Sequence, residues 1–365
     1  MIEEGKFGVQ ETVWLMVSTI VTKVFYTSPA QVASLVGNVG WYMTLISTAT
    51  AILGFTFIYL LLKRFPGWDI ATIMKDTLGG FFGFVFSIAL ALYLLFLATN
   101  TLSEFTEVAK AYVFLLTPSS FIIGIFVVGI LVMCILGLET QARFAKLAAY
   151  TMLTGFVLVL ILGTENYDIN RLFPILGYGA DKILITGLAR SSVYGEIVIL
   201  AVIAPSLQGT YFVKKAGYIS LILSGLLISL SVLAYSLSFP YYVAQEIVAP
   251  MYEMAELIDY GRFVQRVEPI FLFIWFFSSF ISITALFYCF VSLYCKIFRI
   301  QDIRPIALGS ALILFVSALF NMDLGVGAVQ RIQNIRQYGW IPPFILPLIA
   351  LIVGMLRKRG VRSHE

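Results

Sequence analysis

Charge is scarce in this chain. Aspartate, glutamate, lysine and arginine make up only 12% of its 365 residues, against 60% hydrophobic residues. A soluble domain draws on roughly 25% charged residues to cover itself, so that class is excluded and the apolar excess must face lipid. Histidine is nearly missing too: the single one, His364, stands in the C-terminal tail, which removes histidine triads, H-E-x-x-H zinc helices and imidazole proton relays. Cys134, Cys289 and Cys295 are odd in number, lie inside apolar runs and form no C-x-x-C pair, so neither a disulfide framework nor a metal site is expected. No G-x-x-x-x-G-K-S/T phosphate loop occurs, which leaves no sign of an ATP-driven engine. Paired carboxylates, a nucleophile with its base and a cofactor fingerprint are likewise lacking, so the reading is not an enzyme and no cofactor. The net charge of +4 is small and scattered at segment ends, which excludes a basic stripe for nucleic acid.

The chain does have long apolar runs. A bilayer core about 30 Å thick needs roughly 20 apolar residues in helical form. Ten runs meet that measure, at about residues 9–36, 41–62, 81–103, 120–138, 145–163, 183–209, 216–239, 269–295, 305–321 and 340–356. They are continuous and too long for barrel strands, so the fold class is all-α membrane with ten transmembrane helices in one polytopic domain spanning 1–365. Met1-Ile2-Glu3-Glu4 lacks the basic region of a secretory signal, so the first run is expected to be retained. Lys63, Arg64, Lys75, Arg143, Lys146, Lys214, Lys215, Lys296, Arg299, Arg304 and the tail Arg357-Lys358-Arg359 fall on one side, which predicts both termini in the cytoplasm. The external connection 240–268 reads as an amphipathic hairpin packed over the bundle, with a second such stretch at 322–338.

Runs one and six carry polar residues near their middles. In the first, Thr22-Lys23-Val24-Phe25-Tyr26-Thr27-Ser28-Pro29 interrupts the helix, because Pro29 removes a backbone hydrogen bond and disfavours helix at Ser28. In the sixth, Arg190-Ser191-Ser192-Val193-Tyr194-Gly195-Glu196 does the equivalent, with Gly195 supplying backbone freedom. Breaks five helices apart are what a five-plus-five inverted repeat predicts, here with pseudo-repeats at about 8–165 and 180–357 and a midplane cavity between the breaks. Lys23 and Glu196 sit where an ionised group costs about 2.5–3.5 kcal/mol on insertion scales. Either they meet as a salt bridge or through a ligand bearing both charges, or Lys23 snorkels to a vestibule while Glu196 caps a half-helix. The ligand-binding candidates are Thr22, Lys23, Val24, Tyr26, Tyr93, Tyr194, Gly195, Glu196, Ser278 and Ser282. Ser278, Ser279, Ser282 and Thr284 on run eight, and the pair Gly79 and Gly83, serve equally as close-packing positions.

Several motifs in a fixed order go further: Gly5-Lys6-Phe7 with Gln10, Arg64-Phe65-Pro66-Gly67, Leu78-Gly79, Glu104-Phe105, Thr117-Pro118 and Gly137-Leu138-Glu139-Thr140-Gln141-Ala142-Arg143. The second half adds Phe173-Pro174-Ile175-Leu176-Gly177-Tyr178-Gly179, Gly195-Glu196 with Pro205, and Ile258-Asp259-Tyr260-Gly261-Arg262-Phe263-Val264-Gln265-Arg266-Val267-Glu268 before Ile274-Trp275. With these the chain resembles the B subunits of bacterial spore germinant receptors, within the amino acid, polyamine and organocation transporter superfamily. The resemblance implies a fold of the leucine-transporter type with helices one and six broken. It also implies a small-molecule site between those breaks, with contributions from helices three and eight. A role in sensing nutrient germinants, typically amino acids, at the spore inner membrane follows, with an A subunit and a lipoprotein C subunit as partners. A proton-coupled amino-acid transporter and a germinant-gated water or ion conduit are the alternative functions. Relatives carry glycines at the first break where this chain has Thr22-Lys23-Val24, so Lys23 either binds a carboxylate directly or blocks the site.

Overall fold

In lipid every backbone polar group must be satisfied within the chain, so apolar runs of this length fold as helices. A computed structural model describes residues 7–261, 267–323, 334, 336–358 and 360. Its helices are α1 Val9–Val21, α2 Ser28–Val36, α3 Gly40–Arg64, α4 Ile70–Leu78, α5 Gly80–Tyr112, α6 Ser119–Leu136 and α7 Leu138–Leu162. The second half holds α8 Ala180–Ala189, α9 Ile199–Ile203, α10 Thr210–Ser238, α11 Tyr241–Ala244, α12 Pro250–Glu256, α13 Glu268–Phe298, α14 Ile303–Asp323 and, after a π-helical turn at Ile341–Ile345, α15 Leu346–Leu356.

Among the described residues nine helical stretches are long and apolar enough to cross a membrane. The tenth span is the first, whose α1 piece of 13 residues is too short to count alone before the chain breaks and resumes as α2. Phe81, Phe82, Val128, Leu147, Leu312 and Phe320 are all exposed, a surface that water would not tolerate and lipid requires. The polar contrast lies inside: α13 is buried almost continuously from Ile281 to Leu293 and packs on α1, α5, α6, α7 and α14.

Two of the expected ends shift where a charge reads as a boundary. Helix α5 continues past residue 103 to Tyr112, and α7 begins at Leu138 and not at 145. Glu104 is buried against the bundle, so its charge does not mark the end of the helix, while Glu139 and Arg143 neutralise one another at 2.6 Å on the surface of the first turns of α7. Gly79 and Gly83 divide in role. A Cβ on Gly83 would lie 2.5 Å from the Lys75 Cα in α4, a close helix contact, whereas Gly79 takes φ +89° and turns the chain between α4 and α5.

The connection 240–268 does pack over the bundle, as two short helices. Met251, Met254 and Ala255 of α12 are buried against α13 and the first break, and Glu253 accepts a 2.9 Å hydrogen bond from the Tyr112 hydroxyl. Gly5, Lys6, Arg262 to Arg266, Arg359, His364 and most of the stretch 322–338 lie outside the described residues.

Candidate functional site

Both predicted interruptions are present, and they differ in form. In the first span α1 tightens into a 3-10 turn at Thr22–Phe25, and Tyr26 then leaves helical geometry at φ −103°, ψ −158° before Pro29 restarts α2 in its first turn. The sixth span never becomes extended. Between α8 and α9 it overwinds into a 3-10 stretch covering Arg190–Val198, every residue of which is buried.

Lys23 leaves the first break and crosses to the sixth. Its ammonium donates to the Val193 carbonyl at 2.5 Å and to the Glu196 carboxylate, so one charge meets a backbone acceptor of the 3-10 stretch and a side chain one turn on. Of the alternatives open for these two charges the structure takes the direct salt bridge, with Lys23 5% and Glu196 0% exposed. Among the described residues Glu196 Oε1 has no hydrogen-bond partner, an orphan of the kind that costs about 1–3 kcal/mol.

The other candidates separate into groups. Thr22 Oγ1 donates to the Ser18 carbonyl at 2.6 Å and lies 2.5 Å from Ser278 Oγ. Ser278 Oγ and Ser282 Oγ, both on α13, reach the Ser18 and Thr19 carbonyls at 3.2 and 3.3 Å, so hydroxyls cap the end of α1. Tyr26 is held by Ser279 at 2.7 Å and edges onto Trp275, turned away from Glu196. Tyr194 faces α3, where its hydroxyl accepts from Thr48 at 2.8 Å. Val24 faces a void of about 10 Å³ shared with Ser28, Arg190 and Tyr194, which holds roughly one water. Tyr93 covers the sixth break, and its buried hydroxyl has no hydrogen-bond partner among the described residues. Gly195 is explained by that contact and not by a special backbone angle: a Cβ there would lie 2.3 Å from Tyr93 Oη.

The cavity expected between the breaks is thus filled by the ion pair. A separate apolar void of about 30 Å³ lies between α1, α7, α10 and α13, lined by Trp14, Phe25, Met152, Phe156 and Ile274, with no residue of the sixth break on it. A ligand of amino-acid size enters only if the breaks separate. Sequence reasoning also missed three charges around the pair. Glu104 of α5, Arg190 and Arg336 are 7%, 4% and 6% exposed, and all lie within electrostatic reach of one another. Arg190 stood in the quoted polar run and Glu104 in a quoted motif just past the end of run three, where hydropathy alone assigns a charge to the surface.

Ten spans, two mid-span interruptions facing each other and a buried charge pair between them define a membrane protein of the leucine-transporter fold. The comparisons agree. The fold matches a transporter of the nucleobase-cation-symport-1 family, Mhp1, in a closed conformation with bromovinylhydantoin bound, at a TM-score of 0.70, 14% identity and coverage of 99% of this chain and 81% of that one. It also matches a substrate-bound, outward-open Na⁺-coupled sialic acid symporter at a TM-score of 0.67 and 10% identity, covering 99% and 92%. In sequence, residues 6–324 match the profile of the family described as spore germination protein. Spore germination protein KB of Bacillus subtilis (strain 168) is 23% identical over 332 residues, 89% of either chain. The chain belongs to the spore germination protein family, as a relative of the germinant receptor B subunits.

Proposed function

We propose that this chain is the membrane subunit of a spore germinant receptor, binding a small nutrient germinant, an amino acid, between spans one and six and signalling through a change in how the two breaks meet. The observation that carries the reading is the Lys23–Glu196 pair, which joins the breaks across the place a ligand would occupy. A buried ion pair is weak evidence for stability, since well-packed apolar residues often do as well. A zwitterion presents the same two charges in the opposite sense, carboxylate to Lys23 and ammonium to Glu196, so it can replace the pair without stranding either partner. Ligand binding then shifts the population only by its preference for the separated breaks. Thr22, Val24, Ser278 and Ser282 would set the floor of that space, with Tyr26, Tyr93, Tyr194 and Gly195 around it. The halves at about 8–165 and 180–357 would move as pseudo-repeats, with both termini in the cytoplasm and A and C subunits receiving the signal at the spore inner membrane.

The test is a thermal-shift and calorimetric screen of the purified protein in nanodiscs against amino acids, sugars and nucleosides. At least one amino acid is expected to bind, and Lys23→Met and Glu196→Gln are each expected to weaken it by about tenfold or more. Unchanged affinity in both variants would end the reading. The likeness to symporters favours a second function, proton-coupled amino-acid transport. Uptake of the bound amino acid into proteoliposomes separates the two, since a pure sensor binds without net flux.

A further inference from the structure

Two buried polar atoms of opposite kind meet no partner among the described residues at the sixth break: Glu196 Oε1, an acceptor, and the Tyr93 hydroxyl, a donor. Each is penalised for being dry. The Lys23 ammonium relieves neither, because it is spent on the Val193 carbonyl and on the other carboxylate oxygen, Oε2. Phenylalanine at 93 would cover the break as well and leave no donor unanswered.

The two atoms belong to one spot on the chain. A Cβ on Gly195 would lie 2.3 Å from Tyr93 Oη and 3.5 Å from Tyr93 Cζ, so the hydroxyl leads the ring onto the backbone and stands within about 4 Å of the Gly195 Cα. The Glu196 Cα follows about 3.8 Å along the chain, and its carboxyl group turns about three side-chain torsions. The other neighbour at that point, Pro343 Cγ at 3.2 Å from the same Cβ, is a methylene and accepts nothing. One turn away on α5, Ala89, Leu90, Phe96 and Leu97 are apolar as well.

We propose that Tyr93 is a positioning residue for Glu196: when Lys23 lets go, the Tyr93 hydroxyl donates to Oε1 and holds the carboxylate with Oε2 turned to the ammonium of the ligand. The inference rests on the reading above that an amino acid separates the pair. A hydrogen bond to an ionised acceptor is among the stronger ones. Because this one exists only after the separation, it favours the parted state and reduces the preference that the ligand itself must supply. Tyr93 thus acts on the ligand through Glu196 and not by touching it.

A double-mutant cycle on the thermal unfolding midpoint of the full chain in nanodiscs tests this without a ligand. Tyr93→Phe is expected to leave the wild-type midpoint unchanged and to lower that of Lys23→Met by about 3 °C, since only there does Glu196 need the hydroxyl. Equal falls in both backgrounds make Tyr93 a packing residue, and no fall in either leaves Glu196 unserved by it; both outcomes overturn the inference. With an amino acid that binds the wild-type protein, Tyr93→Phe is expected to weaken affinity about tenfold, and by less than about twofold once Glu196→Met has removed the acceptor. An equal loss in both would put the hydroxyl on the ligand and overturn the inference, leaving the Lys23–Glu196 reading intact. If no amino acid binds, that reading falls and the midpoint cycle alone decides; if Lys23→Met does not fold, the affinities decide. Failure on both counts leaves no parted state for the hydroxyl to serve, and the inference falls with it.

Discussion

The two breaks solve the same problem by different means. At the first, carbonyls near the end of α1 are met by hydroxyls from Thr22 and from Ser278 and Ser282 on α13. At the sixth, the Val193 carbonyl is met by a charge that belongs to the other break. Short neutral hydroxyls hold one interruption to its own surroundings, whereas a long cation ties the other to a partner that can be taken away. The first break is therefore a fixture, and the sixth is stable only in company.

Removing the company gives the largest expected effect. Lys23→Met strands Glu196 and the Val193 carbonyl in the interior and is expected to cost about 3–5 kcal/mol, read as a fall in the thermal unfolding midpoint in nanodiscs. The double variant Lys23→Met, Glu196→Met is expected to recover most of that loss, since no charge is left unpaired. A single variant as stable as wild type would erase the contrast between the breaks.

Next comes the roof of the sixth break. Gly195→Ala drives a methyl group into the Tyr93 hydroxyl, 2.3 Å away, at an expected cost of about 1–3 kcal/mol. Tyr93→Phe removes the colliding oxygen and is expected to rescue the alanine, while on its own it changes little because that hydroxyl has no partner. Failure of the rescue would place the strain elsewhere in the stretch. At the first break Ser278→Ala is expected to cost only about 0.6–1 kcal/mol, because Thr22 Oγ1 keeps its 2.6 Å bond to the Ser18 carbonyl. A loss as large as that of Lys23→Met would show the hydroxyl cap to be as decisive as the charge. Smallest of all, Arg143→Ala breaks an exposed i,i+4 pair with Glu139 and is expected to move the midpoint by no more than about 0.5 kcal/mol equivalent.

The ten spans were legible because lipid leaves a long apolar run no alternative to helix. Lys23 and Glu196 were legible for the converse reason, as charges set where charge is costly. Helix ends were misjudged at Glu104, and its burial went unseen, because one sequence does not say which face of α5 turns inward. The same limit hid the directions of Tyr26 and Tyr194: each fell beside its break as expected, yet each hydroxyl is engaged by a neighbouring helix, Ser279 on α13 and Thr48 on α3. That α8 and α9 would be joined by overwound helix and not by extended chain was equally out of reach, since Ser191, Ser192 and Gly195 permit either.

The Lys23 ammonium answers two acceptors at once, one of them backbone and the other side chain. Withdrawing it part of the way forfeits the first before the second is free, so halfway positions are the least comfortable of all. A junction built like that is shaped as a toggle and not as a dial, held whole or parted whole.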